Sequence, residues 1–247
     1  MSDFCVIIPA RYAASRLPGK LLLDLAGKPV IEHVIERAMQ SGAHRVVVAT
    51  DDSRIEQAIA HTDAEVVLTR ADHQSGTDRI AEVAQTLKLP DDEIIINVQG
   101  DEPDMPAELI QQMADTLASR NDADMCTACA PISDRALLDD PNVVKVVRDA
   151  QQRALYFSRA AIAFDRDGQQ SFAYRRHLGI YAYRADYVVA FSAAPACELE
   201  KTEKLEQLRA LYRGETIYCP DAIHAPGIGI DTAADLERAR TEWQQKS

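Results

Sequence analysis

The sequence predicts an α/β fold: a mainly parallel central sheet with helices on both faces and an antiparallel extension. Three features predict it. Short apolar runs alternate with helical apolar stripes through the first half of the chain. Those runs are β-branched and apolar throughout, as strands covered on both faces are. In the second half, strand-like runs follow one another without intervening helices, which points to antiparallel pairing.

Cys5-Val-Ile-Ile-Pro9 reads as the first strand. Val30, Ile31, Val34, Ile35, Ala38 and Met39 then recur at helical spacing. Residues 45–51 read as a strand, 55–60 as a helix, 64–69 as a strand and 77–87 as a helix. Residues 93–98 form a buried strand that runs into the polar turn Gln99-Gly-Asp-Glu-Pro103. Beyond it, residues 123–130, 142–149, 154–159 and 177–183 read as strands. Residues 198–212 read as one helix with Leu205, Leu208 and Leu211 on a single face. The last helix, 232–244, opens on Thr232-Ala-Ala-Asp235, a capping-box pattern with Asp in place of Glu or Gln. No repeat or low-complexity tract interrupts the chain, and 247 residues suit one large domain.

Hydrophobic residues make up 47% of the chain and charged residues 27%, a globular balance. The net charge of -12 opposes binding to nucleic acid or to an anionic membrane. The first residues carry no basic segment, and no apolar run reaches the roughly 18 residues of a membrane span. A soluble, cytoplasmic protein is expected. Five cysteines scattered through apolar surroundings fit a reducing compartment. Cys126-Thr-Ala-Cys129 has the spacing of a redox or zinc motif. No second such pair follows it, so core packing is expected.

Against this acidic background, clustered cations point to an anionic ligand. Arg11, Arg16 and Lys20 lie within ten positions on the loop that follows the first strand. In α/β sheets ligands bind beyond the carboxyl ends of strands. An Arg fork and a Lys point charge there make a polyphosphate clamp, although the loop lacks P-loop spacing. Gly19 would allow close backbone approach. Asp101, just past the 93–98 strand, either holds Mg²⁺ beside a triphosphate or caps the helix that starts near Pro106. Asp231, taken alone, reads as a turn or cap residue before the last helix. Ser75-Gly-Thr-Asp-Arg79 opens a helix; its Ser75 and Arg79 either read a base edge or simply start that helix. His177 and Tyr181 are four apart on a strand and so share one face. That face suits sugar hydroxyls, or His177 is structural. Glu206 and Gln207 either join it or face solvent.

In order along the chain stand Pro9-Ala-Arg-Tyr-Ala-Ala-Ser-Arg-Leu-Pro-Gly-Lys20, Val48-Ala-Thr-Asp-Asp52, Ser75-Gly-Thr-Asp-Arg79 and Val98-Gln-Gly-Asp-Glu-Pro103. Pro141-Asn-Val-Val-Lys-Val-Val147, Ala154-Leu-Tyr-Phe-Ser-Arg-Ala160, His177-Leu-Gly-Ile-Tyr-Ala-Tyr-Arg184 and Leu205-Glu-Gln-Leu-Arg-Ala-Leu211 follow, then Asp231-Thr232 with Asp235-Leu-Glu-Arg238. Together they resemble the 3-deoxy-manno-octulosonate (KDO) cytidylyltransferases across nearly the whole chain. Three departures are visible: Ala163 where proline is common, a short 164–174 loop, and Ile228-Gly-Ile where Gly-Val is commoner.

The resemblance implies a Rossmann-like nucleotidyltransferase fold, use of Mg²⁺, a homodimer and a place in lipopolysaccharide synthesis. It implies a CTP-binding half, residues 1–125, and a half for sugar binding and dimerisation, residues 126–247. CMP would pass from CTP to the anomeric C2 hydroxyl of KDO, releasing pyrophosphate. The catalytic set would be Arg16, Lys20, Asp101 and Asp231, with the two aspartates holding Mg²⁺. Pro9, Ala10, Arg11, Ser75, Arg79 and Gln99 would complete the CTP site. Gln99, His177, Tyr181, Glu206 and Gln207 would bind the sugar. An 8-amino KDO analogue or sialic acid is the alternative acceptor, and a catalytically silent nucleotide-binding regulator the alternative class.

Overall fold

The computed structural model describes residues 2–13, 16–168, 172–227 and 229–246. Ala14 and Ser15 of the first loop, part of the 164–174 loop, and Ile228 lie outside the described residues. The first half runs β1 (Cys5–Ala10), β2 (Asp24–Leu25), β3 (Lys28–Pro29), α1 (Val30–Gln40), β4 (Arg45–Thr50), α2 (Ser53–Ile59), β5 (Glu65–Leu68), α3 (Gly76–Thr86), β6 (Ile94–Asn97) and α4 (Ala107–Ala118). The second runs β7 (Met125–Pro131), α5 (Arg135–Asp139), β8 (Lys145–Arg148), β9 (Ala154–Ser158), β10 (Arg175–Arg184), α6 (Ala185–Ala193), α7 (Glu198–Glu203), α8 (Leu208–Tyr212), β11 (Ile217–Tyr218) and α9 (Ala233–Lys246).

The main sheet has the order β11-β7-β10-β6-β1-β4-β5. β1 pairs in parallel with both β4 and β6, β4 with β5, and β11 with β7. β10 runs antiparallel between β6 and β7. The expected α/β class therefore holds. The antiparallel part is not only an extension, however: its longest strand lies in the middle of the sheet. β8 joins β10 and β9 joins β8, both antiparallel.

The alternation of β1 shows why these residues make a strand covered on both faces. Val6 and Ile8 enter a core under α1 and α4, whereas Cys5 and Ile7 enter a second core under α3 and α6. All four are fully buried, and burying each aliphatic side chain contributes roughly 1.5–3 kcal/mol. The same period of two decides the Cys126–Cys129 question. Cys126 packs in the first core and Cys129 in the second, on opposite faces of β7. They cannot share one metal, and both are free thiols.

β8, β9 and β10 follow one another without an intervening helix, as expected, and α5 and α6 flank that run. Ala185-Asp-Tyr-Val-Val-Ala-Phe-Ser-Ala193 is rich in residues that also suit strands, and packing against α3 decides for helix. One expectation for the second half fails: residues 198–212 do not form one helix. The chain breaks at Lys204, whose backbone is left-handed at φ 55. That conformation costs an L-residue roughly 1–2 kcal/mol. The break is tied to β9: Ser158 Oγ donates to the Glu203 carboxylate at 2.7 Å, and Arg159 Nε to the Glu203 carbonyl at 2.7 Å. Glu206 and Gln207 consequently lie in the link between α7 and α8, not on a helix face. Among the described residues no helix is long and apolar enough to cross a membrane.

Candidate active site

The loop after β1 turns back on itself through Gly19, whose φ of 68 is the left-handed conformation glycine tolerates. Its amide donates to the Tyr12 carbonyl at 3.0 Å. A side chain at Gly19 would meet the Tyr12 ring at 3.1 Å, so glycine permits the close approach of this turn to Tyr12. The turn opens a short 3₁₀ segment at Lys20 and aims that side chain inward. Lys20 is 9% exposed. Its ammonium pairs with Asp101 and, at 2.9 Å, with Asp231. Arg16 meets the other oxygen of Asp231 at 2.9 Å. Arg11 is exposed, and no hydrogen bond or ion pair joins its side chain to another described residue.

Local structure leaves both carboxylates free for this task. Helix α4 starts at Pro106 without a side-chain cap, so Asp101 is not its cap. Asp231 is not the cap of α9 either. Thr232 and Asp235 cap each other there, Thr232 N to Asp235 at 2.8 Å and Asp235 N to Thr232 Oγ1 at 3.2 Å. The Ile230 amide donates to the Asp101 carbonyl at 2.8 Å. That backbone bond brings the start of α9 to the end of β6.

Electrostatics favour the charged lysine. Burial pulls the Lys20 ammonium down, but Asp101 and Asp231 more than offset this, and its pKa stands above the ordinary value. Next to Asp101, burial and the Asp101 charge push Glu102 up to about 7.

A cleft of about 300 Å³ opens over Lys20. Pro9, Arg11, Arg16, Asp101 and Asp231 line it, and so do Ser75, Arg79 and Gln99. Ala10 does not: it is fully buried in the core. Ser75 Oγ accepts from the Asp78 amide at 3.1 Å and caps α3. Its place on the wall is thus set by helix capping. The Arg79 guanidinium, 3% exposed, bonds to Thr69 Oγ1 and stands 3.4 Å from Asp51. His73, Gln74 and Gly100 also line the cleft and were not foreseen. They directly adjoin Ser75 and Gln99, so reading outward from those residues would have found them.

Of the five residues expected on the sugar side, Gln99 lines that cleft, and His177, Tyr181, Glu206 and Gln207 do not. The His177 and Tyr181 ring centroids are 5.5 Å apart, so the expected shared face is present despite a register shift between Leu178 and Tyr181. Thr77 Oγ1 donates to Glu206 at 2.7 Å. Gln99 Nε2 donates to Asn97 at 3.1 Å, and Asn97 pairs with Tyr181 in the sheet. Burial raises Glu206 against the pull of Thr77 and Arg209. Burial lowers His177 to about 3, so its ring is neutral at physiological pH although the residue as a whole is only half-buried. Gln207 is 4% exposed, and its Nε2 has no partner among the described residues.

The sequence model of the cytidylyltransferase family matches residues 5–217. The 3-deoxy-manno-octulosonate cytidylyltransferase of Hahella chejuensis is 51% identical over 255 aligned positions, covering 100% of both chains. That of Thioalkalivibrio sulfidiphilus is 53% identical, covering 96% of this chain and 97% of its own. A CMP:2-keto-3-deoxy-manno-octonic acid synthetase, solved in complex with CTP, superposes with a TM-score of 0.93 at 42% identity over 100% of each chain. The chain therefore belongs to the cytidylyltransferase family, among the 3-deoxy-manno-octulosonate cytidylyltransferases.

Proposed function

We propose that this cytidylyltransferase moves CMP from CTP to the anomeric C2 hydroxyl of KDO and releases pyrophosphate, a step of lipopolysaccharide synthesis. The observation that carries this reading is the Lys20 ammonium held between Asp101 and Asp231, with Arg16 beside them, at the strand ends. The names of the full-length relatives support the same acceptor, and one structural relative was solved with CTP. Pyrophosphate release from CTP should require KDO and should be much slower with sialic acid or the 8-amino analogue. Release that is indifferent to the sugar would overturn the reading.

In the free enzyme, Asp101 and Asp231 neutralise Lys20 and Arg16. An incoming triphosphate competes for the same cations, and its outer phosphates take them over. The carboxylates this frees suit Mg²⁺, which takes few protein oxygens and prefers carboxylate and phosphate ligands. Asp101 and Asp231, which share Lys20, are the residues that would hold it. When bound, Mg²⁺ polarises phosphoryl oxygens and lowers the pKa of a coordinated hydroxyl. Lys20 and Arg16 neutralise charge on the leaving pyrophosphate. Arg11 stands ready on the rim, while Arg79 and the start of α3 flank the base. Gln99, His177, Tyr181, Glu206 and Gln207 orient the sugar, and the orphan Gln207 amide gives it a buried donor.

Lys20→Ala and Arg16→Ala should weaken CTP far more than CMP, since such charge-assisted contacts are worth about 1.5–3 kcal/mol each. Asp101→Asn should abolish turnover with the fold intact by circular dichroism, and EDTA should stop the wild type until Mg²⁺ is restored. Equal loss of CTP and CMP, or an active Asp101→Asn, shows the cleft is wrongly assigned.

His177→Ala should raise the KM for KDO at least about tenfold, on the order of 1.4 kcal/mol, with CTP titration nearly unchanged. Damage to CTP binding instead would make His177 structural.

The enzyme is also proposed to act as a homodimer. Leu155 on β9, 61% exposed, and Phe164, 87% exposed, are apolar surface of the kind a second copy covers. Sedimentation equilibrium should give twice the chain mass; a monomer at all concentrations tested removes the proposal.

A further inference from the structure

Thr127 on β7 is fully buried. Its Oγ1 lies 2.9 Å from His177 Nε2, 3.1 Å from the Leu178 carbonyl and 2.8 Å from the Ile180 carbonyl. The register shift of β10 leaves Gly179 and Ile180 without partners on β7, and Thr127 collects a carbonyl from each side of that irregularity.

A hydroxyl has a single proton, and carbonyls only accept. The Thr127 proton therefore goes to a carbonyl, the nearer being that of Ile180. The remaining contact is a hydrogen bond only if His177 Nε2 carries the hydrogen and donates it to Thr127 Oγ1. Nδ1 is then bare, and among the described residues no hydrogen bond reaches it. The ring is fixed in place by Phe157, edge-on at 5.0 Å, and by Tyr181. Its burial keeps it neutral.

We propose that Thr127 is a positioning residue: it holds His177 in the Nε2–H tautomer, so that His177 offers the acidic sugar an acceptor at Nδ1 and nothing else. His177 then reads a hydroxyl of that sugar and not its carboxylate, because a carboxylate has no proton to give. This rests on the reading of His177 as a sugar contact.

NMR of isotope-labelled histidine separates bare from protonated ring nitrogens and tests the tautomer directly. The wild type and Thr127→Ser should show Nδ1 bare and Nε2 protonated. Thr127→Val keeps the shape but removes the hydroxyl. It should lose that preference and raise the KM for KDO about tenfold, with CTP affinity within about twofold and Thr127→Ser near wild type in both. A wild-type ring protonated on Nδ1 overturns the proposal. So does a Thr127→Val enzyme whose tautomer changes while its KM for KDO does not. Should Thr127→Val fail to fold, Thr127→Ala carries the same readouts. If the tautomer is as expected but His177→Ala leaves the KM for KDO unchanged, the sugar reading itself has failed and the contact is structural.

Discussion

The Lys20 ammonium, buried between Asp101 and Asp231, is the interaction on which the cleft depends. A buried charge must be paired, and here the pairing draws on three distant segments. The loop after β1 supplies the cation, the end of β6 supplies one carboxylate and the approach to α9 the other. Removing one partner would not simply open a site. Loss of the Asp101 carboxylate would shift the balance of charge onto the remaining pairs, Lys20 and Arg16 with Asp231, while the Ile230–Asp101 backbone bond still joins β6 to α9. Electrostatic pairing thus frames the cleft.

The sheet explains why those segments meet. β1, β4 and β6 run parallel side by side, so their carboxyl ends and the loops that follow lie along one rim. The antiparallel strand β10 adds something a wholly parallel sheet lacks. Set between β6 and β7, it brings His177 and Tyr181 close behind the rim through the Asn97–Tyr181 pair. One continuous sheet therefore carries both groups of polar residues, and the Thr77–Glu206 hydrogen bond ties the first turn of α3 to the α7–α8 link.

Much of this was legible in the sequence because its signals are local. The apolar runs and the spacing of Val30 to Met39 gave the parallel half nearly element by element. An acidic chain with three cations on one loop marked the cleft. Features that depend on distant partners were not legible. The Thr232–Asp235 cap was legible, but nothing local announced that the Asp231 carboxylate beside it meets Lys20 and Arg16. The break at Lys204 is a costly local conformation held by Ser158 and Arg159 from another strand, and no helical pattern announces it. α6 reads as strand-compatible until α3 is packed against it. Thr127 lies in an apolar-looking run, and only the register shift of β10 gives its hydroxyl three neighbours.

The two ends of the proposed site are built on different physics. The nucleotide end works with full charges, partly exposed, whose pairing an anionic ligand can exchange. The sugar end leans on neutral groups: His177 stays uncharged and burial raises the Tyr181 hydroxyl well above its usual pKa, while burial raises Glu206 against the pull of Thr77 and Arg209. Neutral groups in such a place hold few options, because each donor or acceptor left unmatched carries its full desolvation cost. Among the described residues the Gln207 amide has no partner. A ligand that satisfies Gln207 gains more than one that merely fills space, and a hydroxyl of the wrong configuration forfeits that gain. On the proposed reading, selectivity among acidic sugars would follow from the pattern of fixed donors and acceptors, whereas the affinity for nucleotide would follow from charge.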